Sequence, residues 1–179
     1  MSALHKSFGS FEIKSVDEEK RTFTGTASTP NQDRSKDIMV PKGAKFKLPM
    51  PLLFHHDMRS PIGHVTSAKV TDKGIEVEIH IPEIKEEGKL KDRVDEAYQS
   101  LKYDLVKGLS VGFLPNWDTV EMIKGGGIKF EDWEWYELSL VTIPDNRDSG
   151  TDFKKAFEEH KAALGKKPQT VADGVSSEQ

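Results

Sequence analysis

Three short apolar segments carry the polar residue types on which serine proteases depend. Residues 53–57 (LFHHD) supply histidine, residues 108–113 (GLSVGF) supply serine, and residues 137–144 (ELSLVTIP) supply a carboxylate. A serine hydroxyl becomes a competent nucleophile when an imidazole accepts its proton, and a third group holds that imidazole in the correct tautomer. Because rigid strands can hold such groups together although they are distant in sequence, the three segments predict a serine peptidase.

The first two segments leave a choice of nucleophile and base. Ser110 is the candidate nucleophile, although a small residue between two glycines also suits a tightly packed strand. His55 and His56 are rival general bases, because neighbouring strand residues face opposite sides of a sheet and only one of them can face Ser110. His64 is a weaker candidate base. Ser139 is the next candidate nucleophile.

The third segment supplies the candidate orienting acid, Glu137. Ser139 lies two residues further on, so a regular strand places both side chains on one face and lets them form a hydrogen bond within the site. Asp57 and Asp37 are alternative acids, but Asp57 is adjacent to His56, which makes a bond to that ring awkward. A structural role for Glu137, as the cross-strand partner of a basic residue, is the competing interpretation.

Composition narrows the class of protein further. The chain of 179 residues has the size of one domain, carries a net charge of −4 with both signs mixed, and contains no cysteine. The absence of cysteine excludes disulfides, a thiolate nucleophile and cysteine-ligated metals. No apolar run is long enough for a signal peptide or a membrane span. Mixed charge without a basic stripe argues against a nucleic-acid partner.

A metal site is the other chemistry that the histidines suggest. His55, His56, Asp57 and His64 resemble a ligand cluster, but adjacent histidines cannot easily share one ion. The three glycines at 125–127 precede no GK[ST] motif and no helix, so they do not form a phosphate-binding loop. The sequence therefore predicts neither a metal nor a cofactor.

Periodicity predicts a mainly β chain with helices, of the α+β class. Residues 63–82 read as a hairpin, with a glycine at positive φ in its 72–74 turn. Residues 83–106 have apolar positions at helical spacing, with Gly108 as the expected C-cap. Residues 117–123 and 128–143 read as strands, and strands at this spacing suggest an antiparallel barrel or sandwich.

The predicted domain ends near residue 148. We assign residues 1–148 to the protease domain and residues 149–179 to a C-terminal extension. In that extension residues 151–164 are a helix candidate, and residues 166–179 are small, polar and aperiodic, which predicts disorder.

Over residues 10–148 the chain resembles the prohead (procapsid-maturation) serine proteases of tailed bacteriophages, a family related in fold to the herpesvirus capsid-maturation proteases. The motifs that carry the resemblance are residues 25–29 (GTAST), 33–34 (DR), 37–38 (DI), 41–44 (PKGA), 56–57 (HD), 62–63 (IG), 108–113 (GLSVGF) and 137–139 (ELS). Each motif is weak alone, whereas their order and spacing together are specific.

The resemblance implies a fold and a set of site residues. It implies a single antiparallel β-barrel flanked by helices, with His56 rather than His55 as the base, since the family has histidine directly before aspartate. The herpesvirus enzymes carry their triad in the order His, Ser, His, so Glu137 departs from that pattern. By analogy with the loop that follows the third triad member there, the backbone N–H of Asp145 or Asn146 is the expected oxyanion hole.

The resemblance also implies a role. Such enzymes act inside the assembling prohead, in the host cytoplasm. They digest a separate scaffold protein or the scaffolding segment of the major capsid protein, and often themselves. A homodimer is a further expectation, and neither nucleic acid nor membrane is an expected partner. Two other interpretations stay open at this point: a non-catalytic β-barrel assembly module, and a hydrolase of other substrates such as esters.

Overall fold

The computed structural model describes residues 5–33, 35–142 and 162, and for residues 5–16 the backbone alone. The described chain contains eleven strands and the helix α1 (Lys89–Lys102). The strands are β1 (His5–Asp17), β2 (Thr22–Ser28), β3 (Ile38–Met39), β4 (Ala44–Lys45), β5 (Met50–Phe54), β6 (Pro61–Thr71), β7 (Gly74–His80), β8 (Gly108–Pro115), β9 (Val120–Met122), β10 (Ile128–Phe130) and β11 (Trp133–Val141).

Eight strands form one curled sheet. Its order is β4-β11-β5-β6-β7-β2-β1-β8. The last strand, β8, pairs in addition with β11, the second strand of the order, so the sheet curls back on itself. Most neighbours are antiparallel, but β4 and β5 run parallel to β11. The prediction of a wholly antiparallel sheet is therefore wrong at β11. A long connection that contains α1 separates β5 from β11, and parallel neighbours require such a connection.

Apolar alternation places one face of each strand against a single core. The hairpin of β6 and β7 is confirmed, and Gly74 in its turn has the predicted positive φ, 145°. On β7 the side chains of Ile75, Val77 and Ile79 are buried whereas those between them are exposed, as a strand with one solvated face requires.

The helix is shorter than predicted. It begins at Lys89, so residues 83–88 precede it, and Leu90 and Leu105 are exposed. The buried face consists of Val94, Ala97 and Leu101. The predicted C-cap at Gly108 is wrong, because Gly108 already begins β8.

Asp104 takes the left-handed position that the prediction gave to Gly108. Its φ is 57°, its N–H bonds the carbonyl of Leu101, and the N–H of Leu105 bonds the carbonyl of Ser100. This pair of bonds is a Schellman motif, in which aspartate can replace the usual glycine because its short polar side chain tolerates positive φ.

A second, three-stranded sheet has the order β3-β10-β9. The strand predicted over residues 117–123 is shortened to β9, and the strand predicted over residues 128–143 is divided into β10, in this sheet, and β11, in the curled sheet. Residues 117–119 form a 3₁₀ turn, in which the Asn116 side chain accepts the N–H of Asp118. Strand structure is interrupted between the end of β10 at Phe130 and the start of β11 at Trp133.

The prediction of a mainly β chain with helix is confirmed in the described residues. The predicted domain boundary at 148 and the C-terminal helix and tail lie outside them, apart from residue 162. Among the described residues, no helix has both the length and the apolar character needed to cross a membrane.

Candidate active site

The candidate nucleophile and the candidate acid lie on neighbouring strands. Strands β8 and β11 pair antiparallel with Ser110 opposite Ser139 and Gly112 opposite Glu137. Their other face enters the apolar core through side chains that include Leu109, Val111 and Leu138. Because successive side chains on a strand point to opposite faces, Ser110, Glu137 and Ser139 share the face away from this core.

A β-bulge in β11 makes this arrangement possible. The pairing of β11 with β8 shifts between Trp135 and Glu137, so Tyr136 is an extra residue in the strand. In a regular strand Trp135 and Glu137 would share a face, so a strand that places Trp135 in the apolar core would place Glu137 there as well. The bulge separates them, since one inserted residue re-aims the side chains that follow it. The indole N–H of Trp135 donates to the carbonyl oxygen of Glu137 across the bulge at 2.7 Å.

The candidate base lies in a tight turn and not in a strand. The N–H of Asp57 bonds the carbonyl of Phe54 at 3.1 Å, and the two central residues, His55 and His56, have φ of 53° and 58°. Positive φ at both central positions is the geometry of a type I′ turn. The prediction that His55 and His56 are neighbouring strand residues is therefore wrong. Their side chains take different directions because of the turn and not because of strand alternation.

The three candidate residues form a continuous chain of hydrogen bonds. His56 Nε2 lies 2.7 Å from Ser110 Oγ, and His56 Nδ1 lies 2.6 Å from Glu137 Oε1. A neutral imidazole carries one ring proton, and an ionised carboxylate can only accept, so the Nδ1 proton goes to Glu137. His56 Nε2 is then the acceptor for the Ser110 hydroxyl. This arrangement can move a proton from a serine oxygen to an imidazole whose charge a carboxylate stabilises.

The three side chains that form these hydrogen bonds are buried. The side chains of His56 and Glu137 are 4% and 1% exposed, and Ser110 is fully buried. Electrostatic and hydrogen-bond interactions are stronger in such an environment than in water, because little solvent screens them.

Gly112 leaves room for the side chain of Glu137, a role that was not predicted from the sequence. The sequence indicates only that the two glycines of the GLSVGF segment suit a tightly packed strand. A β-carbon at Gly112 would instead lie 2.6 Å from Cδ of Glu137, so the acid side chain crosses the strand over this glycine. Any larger residue at 112 competes with Glu137 for the same space.

Ser139 contacts both the acid and the base. Its hydroxyl donates to Glu137 Oε2 at 2.7 Å and accepts the backbone N–H of His56 at 3.1 Å. The predicted hydrogen bond of Ser139 within the site is confirmed. Its hydroxyl is directed to Glu137 and to the His56 backbone.

The alternative bases and acids have other surroundings. His55 is an exposed residue whose ring lies against Phe54, with ring centroids 4.2 Å apart. Its pKa is lowered mainly because part of the side chain is removed from solvent and, to a smaller extent, by repulsion from His56. His64 is exposed on β6. The Asp57 carboxylate accepts the N–H of Arg59 and the hydroxyl of Ser60, which lower its pKa.

Asp37 is buried in the loop directly before β3. Its Oδ1 accepts the N–H of Ile128 at 2.7 Å. Within the described residues, no group of three or more histidine, aspartate or glutamate side chains could hold a metal ion. Asp145 and Asn146, the predicted oxyanion residues, lie outside the described part of the chain.

Comparison with known proteins finds a protease family and relatives from bacteriophages. The Caudovirus prohead serine protease family matches residues 9–163. The capsid polyprotein of Pseudomonas phage PAJU2 is 52% identical over 169 residues, which are 93% of this chain and 25% of that protein. The prohead protease of Escherichia phage T5 is 29% identical over 163 residues, 83% of this chain and 71% of that protein.

The chain thus spans about a quarter of the length of the capsid polyprotein that it matches. No solved structure matches the chain, so the predicted relationship to herpesvirus proteases stays a prediction. The extent of the family match settles the assignment: this chain belongs to the Caudovirus prohead serine protease family.

Proposed function

We propose that this protein is an endopeptidase in which Ser110 is the nucleophile, His56 the general base and Glu137 the acid that orients the imidazole. The observation that carries the proposal is the chain of contacts from Ser110 Oγ through the His56 ring to Glu137 Oε1, at 2.7 Å and 2.6 Å. Both distances lie within hydrogen-bond reach, which is the geometric requirement for a nucleophile with its base and orienting acid.

The proposed reaction forms an acyl-enzyme. Ser110 Oγ attacks the scissile carbonyl carbon while His56 Nε2 takes its proton, and Glu137 stabilises the resulting imidazolium. The imidazolium then protonates the departing amine nitrogen, and the peptide carbonyl remains as an ester on Ser110. Water attacks this ester with His56 again as the base. The bond from the acyl carbon to Ser110 Oγ then breaks, His56 returns the proton to Oγ, and the new carboxylate leaves. The backbone N–H of Asp145 or Asn146 is the proposed donor to the oxyanion.

The proposed substrates are structural proteins of the phage head. One relative is named a capsid polyprotein and another a prohead protease, which supports a role in capsid maturation. We propose that the enzyme acts inside the prohead in the host cytoplasm. Its substrates would be the scaffolding segment of the capsid protein or a separate scaffold protein, and the enzyme itself. Because the aligned region is a quarter of the polyprotein, cleavage that separates a protease segment from a capsid segment is included in this proposal.

A homodimer is part of the proposal as well. Tyr103 and Leu105, directly after α1, have exposed fractions of 70% and 65%. Large apolar side chains with that exposure suit contact with a second copy.

Intact-mass spectrometry tests the proposal. The parent chain and a Ser110→Ala variant are each incubated with the capsid and scaffold proteins of the phage. We expect cleavage products with the parent only, and their masses identify the cleavage sites. Equal products in both incubations would contradict Ser110 as the nucleophile. Circular dichroism of the variant controls for folding, and we expect no change, because the substitution removes one atom that contacts His56.

A further inference from the structure

We propose that Ser139 is a positioning residue that holds the acid and the base of this site in register, an inference that rests on the proposed function. Its hydroxyl donates to Glu137 Oε2 at 2.7 Å, and the same oxygen accepts the backbone N–H of His56 at 3.1 Å. One side chain thus contacts both β11's acid and the turn that carries the base. Ser139 itself is fully buried.

The hydrogen-bond capacity of the hydroxyl is matched to these two contacts. A serine hydroxyl has one proton to donate and lone pairs that accept. Since an ionised carboxylate only accepts and a backbone N–H only donates, the proton must go to Glu137 and a lone pair must face His56. Both directions are thereby determined, and the hydroxyl proton of Ser139 is committed to Glu137.

One contact fixes the carboxylate of Glu137, and the other fixes the backbone of His56. Glu137 uses Oε1 for His56 Nδ1 and Oε2 for Ser139, so the hydroxyl selects one rotation of the carboxylate. The other contact holds the backbone of His56, whose φ of 58° is unfavourable for a residue with a β-carbon. Loss of the hydroxyl therefore frees the acid to rotate and leaves the turn without this bond.

The register of the strands explains why the residue must be on β11. Ser139 lies opposite Ser110, and His55 N–H bonds the carbonyl of Leu140, so the turn is anchored on β11 at this level. A hydroxyl at 139 is then within reach of the next N–H, that of His56. The acid and the base consequently share one buried side chain, which lies opposite the nucleophile on the neighbouring strand.

A matched pair of variants isolates the hydroxyl. Ser139→Thr and Ser139→Val add the same volume, but only threonine keeps the hydroxyl. The readout is the rate at which a fluorophosphonate probe labels Ser110, separated into its maximal rate and its half-saturating concentration. We expect valine to lower the maximal rate at least about tenfold relative to threonine, since small misplacements of catalytic groups have effects of up to about 10²-fold. The half-saturating concentration should be the same in both.

A second readout separates positioning from stability. The proton between His56 Nδ1 and Glu137 is expected to give a low-field proton NMR signal in the parent chain and in Ser139→Thr. In Ser139→Val the signal should shift or broaden, which a merely structural role would not cause. If valine prevents folding, Ser139→Ala against the parent makes the same comparison without added volume.

Ser110→Ala, measured beside these variants, distinguishes the possible failures. Labelling of Ser110→Ala at the parent rate would reject the proposed function. No labelling of Ser110→Ala, with equal rates for Ser139→Thr, Ser139→Val and Ser139→Ala, would overturn the positioning role alone.

Discussion

Two buried carboxylates, Glu137 on β11 and Asp37 in the loop before β3, have different partners. Glu137 faces an imidazole at 2.6 Å and a hydroxyl at 2.7 Å. Asp37 faces the backbone N–H of Ile128 at 2.7 Å, with Asp33 nearby. Burial raises the pKa of Asp37 from 3.8 to about 7, and Asp33 adds to this although the Ile128 bond opposes it.

The difference shows how surroundings assign roles to one kind of side chain. The imidazole beside Glu137 can gain a proton, so the carboxylate there can stabilise a charge that develops during a reaction. The amide beside Asp37 has a fixed dipole and cannot change its charge. Glu137 is therefore suited to catalysis, whereas Asp37 links β10 to the loop before β3 and contributes to stability in a pH-dependent way.

The largest expected effect comes from removing the charge of Glu137. Glu137→Gln preserves the shape but cannot stabilise the imidazolium, and its amide N–H₂ can hold the wrong tautomer of His56. We expect the cleavage rate to fall about 10³–10⁴-fold. Peptide cleavage followed by mass spectrometry measures it.

Asp37→Asn is the matched control, because it makes the same chemical change in the other buried carboxylate. We expect it to leave the cleavage rate unchanged. An equal loss in both variants would contradict the distinction between the two carboxylates.

Gly112→Ala is expected to have the next largest effect. The new β-carbon meets the flexible side chain of Glu137, which can move aside, so the fold should survive while the acid leaves His56. We expect an activity loss of about 10²-fold with little change in the melting temperature. In a Glu137→Gln background the same substitution should add almost nothing, since its effect acts through that side chain. A full additional loss there would show that Gly112 acts in another way.

Because the pKa of Asp37 is raised in the folded chain, we expect the free energy of unfolding to fall as pH rises. Its carboxyl binds a proton more tightly in the folded chain, where its pKa is about 7, than in the unfolded chain, where it is near 3.8. The stabilisation from protonation is therefore complete below the unfolded value and is lost as pH rises through about 7. We expect a loss of about 1–2 kcal/mol, after discounting the shift for solvent screening.

Urea unfolding of the parent and of Asp37→Asn between pH 5 and about 8 tests this expectation. The asparagine variant is neutral throughout, so the difference between the two stabilities should change in that interval. A difference that stays constant with pH would refute the assigned titration.

The smallest expected effect is a gain in stability at His55. Asparagine tolerates positive φ better than histidine, so His55→Asn should stabilise the chain by about 1 kcal/mol. We expect fluorophosphonate labelling of Ser110 to be unchanged, whereas His56→Asn in the same turn should abolish it. Thermal unfolding measures the first effect. Loss of labelling in His55→Asn would reinstate His55 as a candidate base.

The sequence predicted those features that repeat a simple period. The alternation in residues 74–80 identified β7, and Gly74 marked its turn, because both signals are local. The apolar spacing found α1 but extended it, since Leu90 and Leu105 continue the pattern and yet are exposed. Pairing of β11 with β5 was not predictable, as parallel partners depend on contacts distant in the chain.

The candidate site likewise contains residues that the sequence predicted and features that it did not. Residue type and the family resemblance selected Ser110, His56 and Glu137, and the structure brings these three together. The bulge at Tyr136 was not predicted, because the strand pattern was interpreted as regular and an extra residue shows most directly against the partner strand. Trp135 and Gly112 were missed for this reason. An apolar residue two positions before an acid on one strand was the available signal, since a regular strand would bury both.

Fluorophosphonate labelling with peptide mapping tests whether Ser110 is a nucleophile that His56 activates. The parent chain is treated with the probe, digested and sequenced by mass spectrometry, with His56→Ala treated in parallel. We expect one labelled residue, Ser110, and loss of that label in His56→Ala. A label on Ser139 or on another residue, or a Ser110 label that does not depend on His56, would contradict it.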